Sequence, residues 1–324
     1  NHDGDIDKAI KLVEAAKESG CDAVKFQTFD ADRLVCQNTK KVQYQTLNDG
    51  AEGDQYSMLK RLMLTNDEFL KLHKACNENK IEFLSTPYDP LSVKFLDNLN
   101  VRIFKVASAD IIDPILNHAI ADTKKKVIIS TGMSTLEEIK ECLSIYRSYL
   151  KEDICLLHCV SNYPCSDESL NLRVIPYLKE SFNTSVGFSD HTTNSISSSL
   201  AIAMGSEVIE KHFTLDKQSK GPDHKSSLEP DEMENFVKVI RKTEVMLGSQ
   251  KKSCQGEEYE MRSIARKKII LNKNMLKDDF INIEDIDLKR TNEGLEGSKI
   301  YKILNKQLNK NILKNTPLTF EDFY

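Results

Sequence analysis

The chain has 324 residues, of which 40% are hydrophobic, and carries 45 basic against 50 acidic side chains for a formal net charge of −5. That length is enough for more than one buried core, and the dispersed charge offers no basic face for a nucleic acid. No apolar run approaches the roughly 20 residues that span a bilayer and no signal-peptide pattern opens the chain, so a cytoplasmic protein is the default expectation.

The opening segment, "NHDGDIDKAIKLVEAAKESG", has a helical apolar period and stops at Gly20. Seven β-branched runs ending in polar residues then alternate with helical patterns: 23–29, 82–87, 102–108, 126–132, 155–161, 185–191 and 208–214. Capping boxes are read at Thr65 to Glu68 and at Ser134 to Glu137, and a second glycine stop at Gly205. Such alternation implies a parallel sheet with crossover helices, either doubly wound or an eight-stranded barrel. The barrel is the better choice, because polar residues recur at the carboxyl end of every strand, where a barrel gathers them around one centre. With no strand ahead of the first helix, strand one of a (β/α)8 TIM barrel is expected to be missing from this chain. Domain boundaries follow from composition: a barrel over 1–248, a polar linker over 249–262 and a small, mostly β module over 263–324, with no internal repeat. Eight scattered cysteines without a CxxC pair argue against a disulfide framework.

The strand ends present, in order, Lys25 and Gln27, Ser85 and Thr86, Lys105 and Ser108, Ser130 and Thr131, His158 and Ser161, Ser189 and His191, and Glu210 and His212. Singly, each is ordinary rim or turn chemistry. Repeated on successive strands, two ammonium groups and several hydroxyls suit a phosphate or carboxylate ligand. His191 and His212 lie one βα unit apart with Asp190, Glu210 and Asp223 nearby in sequence. Imidazole and carboxylate around an open position suit a catalytic divalent ion, yet on spacing alone a packing role for the histidines stands level with it. His158, Cys159 and Cys165 pose a thiol-nucleophile or zinc alternative that lacks a third partner at ligand-like spacing.

The strings "NHDGD", "AVKFQTF", "FLSTPYD", "STGMSTLEEI", "LLHCVSNYP", "GFSDHT", "IEKHFTLDK" and "GPDHKSSLEPDE" occur in an order and spacing that resemble the sialic acid (N-acetylneuraminate) synthase family, which includes legionaminic and pseudaminic acid synthases. The tail resembles that family's antifreeze-like (SAF) domain. The resemblance implies a (β/α)8 barrel, a domain-swapped homodimer, and condensation of phosphoenolpyruvate with an N-acylated hexose, aided by a divalent metal, manganese first, with magnesium or cobalt as substitutes. It further implies that His191 and His212 bind the metal, with Glu210 an acidic residue of the same centre. Lys25, Lys105, Ser108, Ser130 and Ser189 would hold phosphoenolpyruvate, with Thr86 beside them. Gln27, Tyr163 and Asp223 would lie near the acceptor, and Arg290 would reach over the N-acyl group from the partner's tail. Four departures bear on this. The family's first-strand glutamate would precede residue 1, "SGE" is replaced by Ser108-Ala109-Asp110, and "HCxxxYP" carries Ser161 where Asn or Thr is common, while in the tail a fourth departure replaces "KRPGNG" with "KRTNEG", Lys289 to Gly294. The acceptor therefore stays open between N-acetylmannosamine, a 2,4-diacetamido hexose and a phosphorylated sugar. A metal-dependent barrel aldolase and an inactive binding relative remain as other readings.

Overall fold

A computed structural model of the protein describes residues 1–42, 45–46, 48, 52–149 and 153–324. They fall into two compact units, Asn1–Gly248 and Ser249–Tyr324. In the first, β1 (Ala23–Thr28), β2 (Glu82–Pro87), β3 (Ile103–Val106), β4 (Lys126–Ser130), β5 (Ile154–Cys159), β6 (Ser185–Asp190) and β7 (Val208–Lys211) pair in sequence order, every pair parallel. Helices such as Pro90–Asn98, Pro114–Asp122 and Leu136–Tyr149 make the crossovers. Their starts are written locally. Asp89 and Asp113 each cap two backbone N–H groups ahead of a proline, which is suited to the first helical turn because its missing N–H would have no partner there.

The box at Thr65 and Glu68 forms as the sequence indicates. The second box is shifted by one: Thr135 N–H donates to Glu138 at 2.7 Å and Glu138 N–H to the Thr135 hydroxyl at 3.3 Å. The helix starts at Leu136, so Thr135 rather than Ser134 occupies the capping position, and the second of two consecutive glutamates answers it. Phe26, Phe83, Phe104, Ile129, Leu156 and Phe188 from the strands meet Leu72, Leu96, Leu116, Leu143 and Ile175 from the helices in one core. β5 is buried along its whole length, as a strand covered on both faces must be. The sheet is a curled, open half-barrel in the manner of a TIM barrel. β1 and β7 are its edges, and a cavity of about 680 Å³ is lined by both. Among the described residues no helix is long and apolar enough to cross a membrane.

The second unit holds the antiparallel pair β8 (Lys268–Leu271) and β9 (Ile286–Lys289) around Ile269, Ile281, Ile303, Leu308 and Leu318. The polar stretch 249–262 contains a 3-10 turn, Gly256–Glu258, capped by a Gln255–Glu258 box, and runs directly into a helix, Tyr259–Ala265. An internal repeat is present, contrary to the sequence reading. "NKNMLKDDFINIEDID" (272–287) and "NKNILKNTPLTFEDFY" (309–324) lie 37 residues apart and are identical at seven of sixteen positions. Met275 and Ile312 exchange both backbone hydrogen bonds, at 2.9 and 3.0 Å. Lys277 N–H donates to Asn311 and Lys314 N–H to Asn274, each at 2.8 Å. Lys273 pairs with Asp285 as Lys310 pairs with Asp322. Matched partners at matched positions make the unit two copies of one motif facing each other.

Candidate active site

Because side chains alternate along a strand, Lys25, Lys105 and Glu210 project to the inner face of the sheet from β1, β3 and β7. The Lys25 ammonium lies 2.9 Å from the Glu210 carboxylate, and that of Lys105 lies 3.9 Å from it. Lys105 also donates to the Ser130 hydroxyl at 2.6 Å, and the Ser189 hydroxyl donates to Glu210 at 2.8 Å. Burial, opposed by Glu210, lowers the Lys105 pKa to about 8. Burial works to raise Glu210, but attraction to Lys105 and Lys25 and bonds from Lys25 and Ser189 outweigh it and hold the carboxyl far below its usual range. Two cations against one anion, edged by serine hydroxyls, leave positive charge unspent: a site for an anionic ligand.

His191 sits directly beyond β6 and His212 beyond β7, with ring centres 5.3 Å apart and Tyr163 against both at 4.2 and 5.4 Å. The His191 Nδ1–H donates to the Val160 carbonyl at 2.8 Å, which fixes the tautomer and leaves Nε2, 3.4 Å from the Ser189 hydroxyl, with its electron pair toward the site. Burial lowers His212 to about 4, keeping it neutral at neutral pH. Burial works to lower His191, but the Cys159 thiol and the Val160 carbonyl outweigh it and raise its pKa, so that His191 must give up its proton before it can join His212 as a nitrogen donor to a divalent cation. Among the described residues no group of three or more His, Cys, Asp or Glu side chains is placed to hold a metal. The pair would therefore leave positions for water and substrate oxygens. His158 takes no part: it is turned to the outer face, where Nε2 bonds the Leu170 carbonyl at 2.6 Å and the ring stacks on Phe188. Its neighbour Cys159 faces inward, with Sγ 3.9 Å from His191 Nδ1.

Ser108 and Ser161 meet at Gly132, whose N–H donates to the Ser108 hydroxyl at 3.0 Å. A Cβ on Gly132 would collide with the Ser161 hydroxyl and lie 2.9 Å from that of Ser108, so only glycine lets the backbone come this close. Thr86 is buried opposite Gln27 in the β1–β2 register, while Gln27 is exposed and lines the 680 Å³ cavity with Lys25, Lys105, Glu210, His212 and Asp223. Asp223 Oδ1 is buried and has no hydrogen-bond partner among the described residues, so it awaits a donor. Its loop is held by the fully buried His224, which bridges the Thr214 hydroxyl at 2.6 Å and the Asp3 carboxylate at 3.1 Å.

Asp110, which no expectation from the strand ends included, adds to the residues of this region. Its Oδ2 is buried without a hydrogen-bond partner among the described residues, and burial, reinforced by Asp113, raises its pKa to about 6. Its place two residues after Ser108 was the available signal. Arg290 is exposed just after β9 in the second unit.

Comparison with known proteins gives concordant results. The model of the NeuB family matches residues 12–252. An N,N'-diacetyllegionaminic acid synthase from Legionella pneumophila is 42% identical, over 99% of this chain and 91% of its own. A protein of the same name from Campylobacter jejuni is 38% identical, over 96% of this chain and 94% of its own. The crystal structure of an N-acetylneuraminic acid synthetase from Leptospira borgpetersenii, in complex with citrate, superposes with a TM-score of 0.72 at 32% identity, over 81% of this chain and 86% of that one.

Proposed function

The chain belongs to the NeuB family, and from that membership together with the anion site we infer that it is a nonulosonate synthase, an enzyme that condenses phosphoenolpyruvate with an N-acyl hexose and releases phosphate. The observation that carries this is the Lys25–Glu210–Lys105 network edged by Ser130 and Ser189. The donor's phosphate and carboxylate draw on the two ammonium groups, with Ser108 and Ser130 as directed donors, Ser189 holding Glu210 beside them, and Thr86 and Ser161 alongside. C3 of the enol phosphate forms a bond to the aldehyde carbon of the open-chain sugar, whose oxygen takes up a proton. The positive charge that develops at C2 is captured by water, which gives up one proton, and the C2–O bond to phosphate then breaks as the new C2 hydroxyl passes its remaining proton to the departing phosphate, leaving the 2-keto acid. Lys25 and Lys105 steady the developing charge on the phosphate, and Gln27, Tyr163 and Asp223 orient the acceptor.

His191 and His212 are proposed to hold a divalent ion, manganese first with magnesium or cobalt as substitutes. When bound it supplies Lewis-acid polarisation of the aldehyde. For the acceptor, the two relatives at 42% and 38% identity favour a 2,4-diacetamido hexose over N-acetylmannosamine. The open edges of β1 and β7 support an eight-stranded barrel closed by one further strand, and the compact second unit supports an antifreeze-like module. Exposed Leu91, Ile112, Ile115, Met133 and Leu136, in the connections after successive strands and the first turns of the helices that follow, support a protein partner at the mouth. We take that partner to be a second copy, whose tail brings Arg290 over the acceptor.

The test is phosphate release from phosphoenolpyruvate with a panel of acceptors. A 2,4-diacetamido hexose should turn over fastest, and His191→Ala and His212→Ala should each lose at least about 100-fold. Full activity after exhaustive chelation would remove the metal from the scheme. Binding of phosphoenolpyruvate with no turnover on any acceptor would leave an inactive relative, and turnover without phosphate an aldolase.

A further inference from the structure

Behind the two histidines lies a second charge pair that the chemistry above does not use. Asp190 ends β6, Lys211 ends β7, and the two are partners in the strand register. Their side chains lie 3.1 Å apart at 0% and 3% exposure, on the face of the sheet opposite to the histidines. Asp190 Oδ2 accepts from the hydroxyls of Ser197 and Ser198, at 2.9 and 2.6 Å, on the covering helix Ile196–Ala203. Its Oδ1 accepts from Thr192 N–H at 2.8 Å, while the Lys211 ammonium donates to the Thr192 carbonyl at 2.5 Å and lies 5.6 Å from the Phe236 ring. The pair thus grips both backbone polar groups of the residue after His191 and contributes the residue before it. On the neighbouring strand, His212 follows Lys211 directly.

A buried ion pair is a weak source of net stability, since an apolar pair of similar volume often serves the fold as well. What it supplies is a directional, low-tolerance link between the tips of two strands. We propose that Asp190 and Lys211 are positioning residues that set the lateral spacing and aim of His191 and His212 for a divalent cation, an inference that rests on the reading of those histidines as metal ligands.

Calorimetric titration of metal-stripped protein with Mn²⁺ tests it, with phosphoenolpyruvate affinity measured on the same samples. The variants are Lys211→Met, the neutral pair Asp190→Asn with Lys211→Met, and the mild Ser198→Ala. Lys211→Met and the neutral pair should bind Mn²⁺ about 10- to 100-fold more weakly, as expected for a lost outer-shell partner, and Ser198→Ala a few-fold more weakly, with phosphoenolpyruvate affinity changed by less than about twofold. Ser198→Ala keeps both charges and removes one of several bonds, so it decides the matter if the pair variants do not fold. Absence of Mn²⁺ binding by the unaltered protein would sink the metal reading itself. Binding by the unaltered protein that is unchanged in Ser198→Ala and in any folded pair variant would overturn this proposal alone, as would parallel losses of Mn²⁺ and phosphoenolpyruvate affinity, which would mark a general loosening of β6 and β7.

Discussion

An ammonium at 3% exposure, held by Ser130 and the Val106 carbonyl and facing Glu210, is placed to lose its proton at moderately alkaline pH. Burial puts Lys105 at about 8. Initial rates should therefore show KM for phosphoenolpyruvate rising toward tenfold per pH unit above about 8, with KM for the sugar flat, and Lys105→Arg should flatten the rise because a guanidinium stays charged. Parallel rises for both substrates would mean Lys105 does not serve the donor. Asp110 titrates with the opposite consequence. Its folded-state value of about 6 lies above the ordinary 3.8, so the stability it contributes is present below 3.8 and lost as pH rises through 6. Asp110→Asn should accordingly stabilise the protein by ~1–3 kcal/mol at pH 7 and by almost nothing at pH 4, as read by urea melts. Lys25, Lys105 and the serines were legible in the sequence because they recur within or just after successive β-branched runs, whereas Asp110 acquires its chemistry from burial in the turn Ser108–Ile112, which no periodicity announces.

The strands were legible as β-branched runs, but the patterns overran them: the run 208–214 yields β7 over Val208–Lys211, and 102–108 yields β3 over Ile103–Val106. Among the excess residues at the carboxyl ends are Ser108 and His212, which lie beyond the ladder and carry the chemistry of the site. Gly187 shows what pattern reading cannot reach. In a strand, glycine reads as a weak point or a bulge. In the fold, a Cβ there would collide with the Val208 carbonyl of β7 and stand 2.5 Å from Leu157. The constraint comes from a residue 21 positions away, in contact only after β6 and β7 pair. Gly187→Ala should therefore cost ~1–3 kcal/mol by wedging the two strands apart, measurable by thermal melts, and an unchanged Tm would show that the pair yields more easily than its geometry indicates.

For the molecule as a whole, alternation of strands and helices was enough to indicate the barrel-like sheet, but no pattern within the chain indicated the cavity shared by β1 and β7, because edges are a property of topology. The proposed exchange of tails has a direct test. Lys105→Ala and Arg290→Ala proteins, each inactive, should recover activity when mixed into heterodimers that contain one site with both residues intact, and no recovery in demonstrated heterodimers would confine Arg290 to its own chain or to no site. The repeat in the second unit escaped the sequence reading because apolar identity varies between copies, Met275 against Ile312 and Ile283 against Phe320, while the shared asparagines and lysines look like loop composition. Once the copies face each other, the amides of Met275 and Ile312 close one reciprocal ring, and those of Lys277 and Lys314 are satisfied by the opposite copy. The N–H groups of the buried Met275 and Ile312 meet solvent only when the two copies separate. Their hydrogen–deuterium exchange should therefore proceed at matched rates and slow or quicken together in any variant, as though the tail were a dimer fused into one chain and these amides recorded its dissociation.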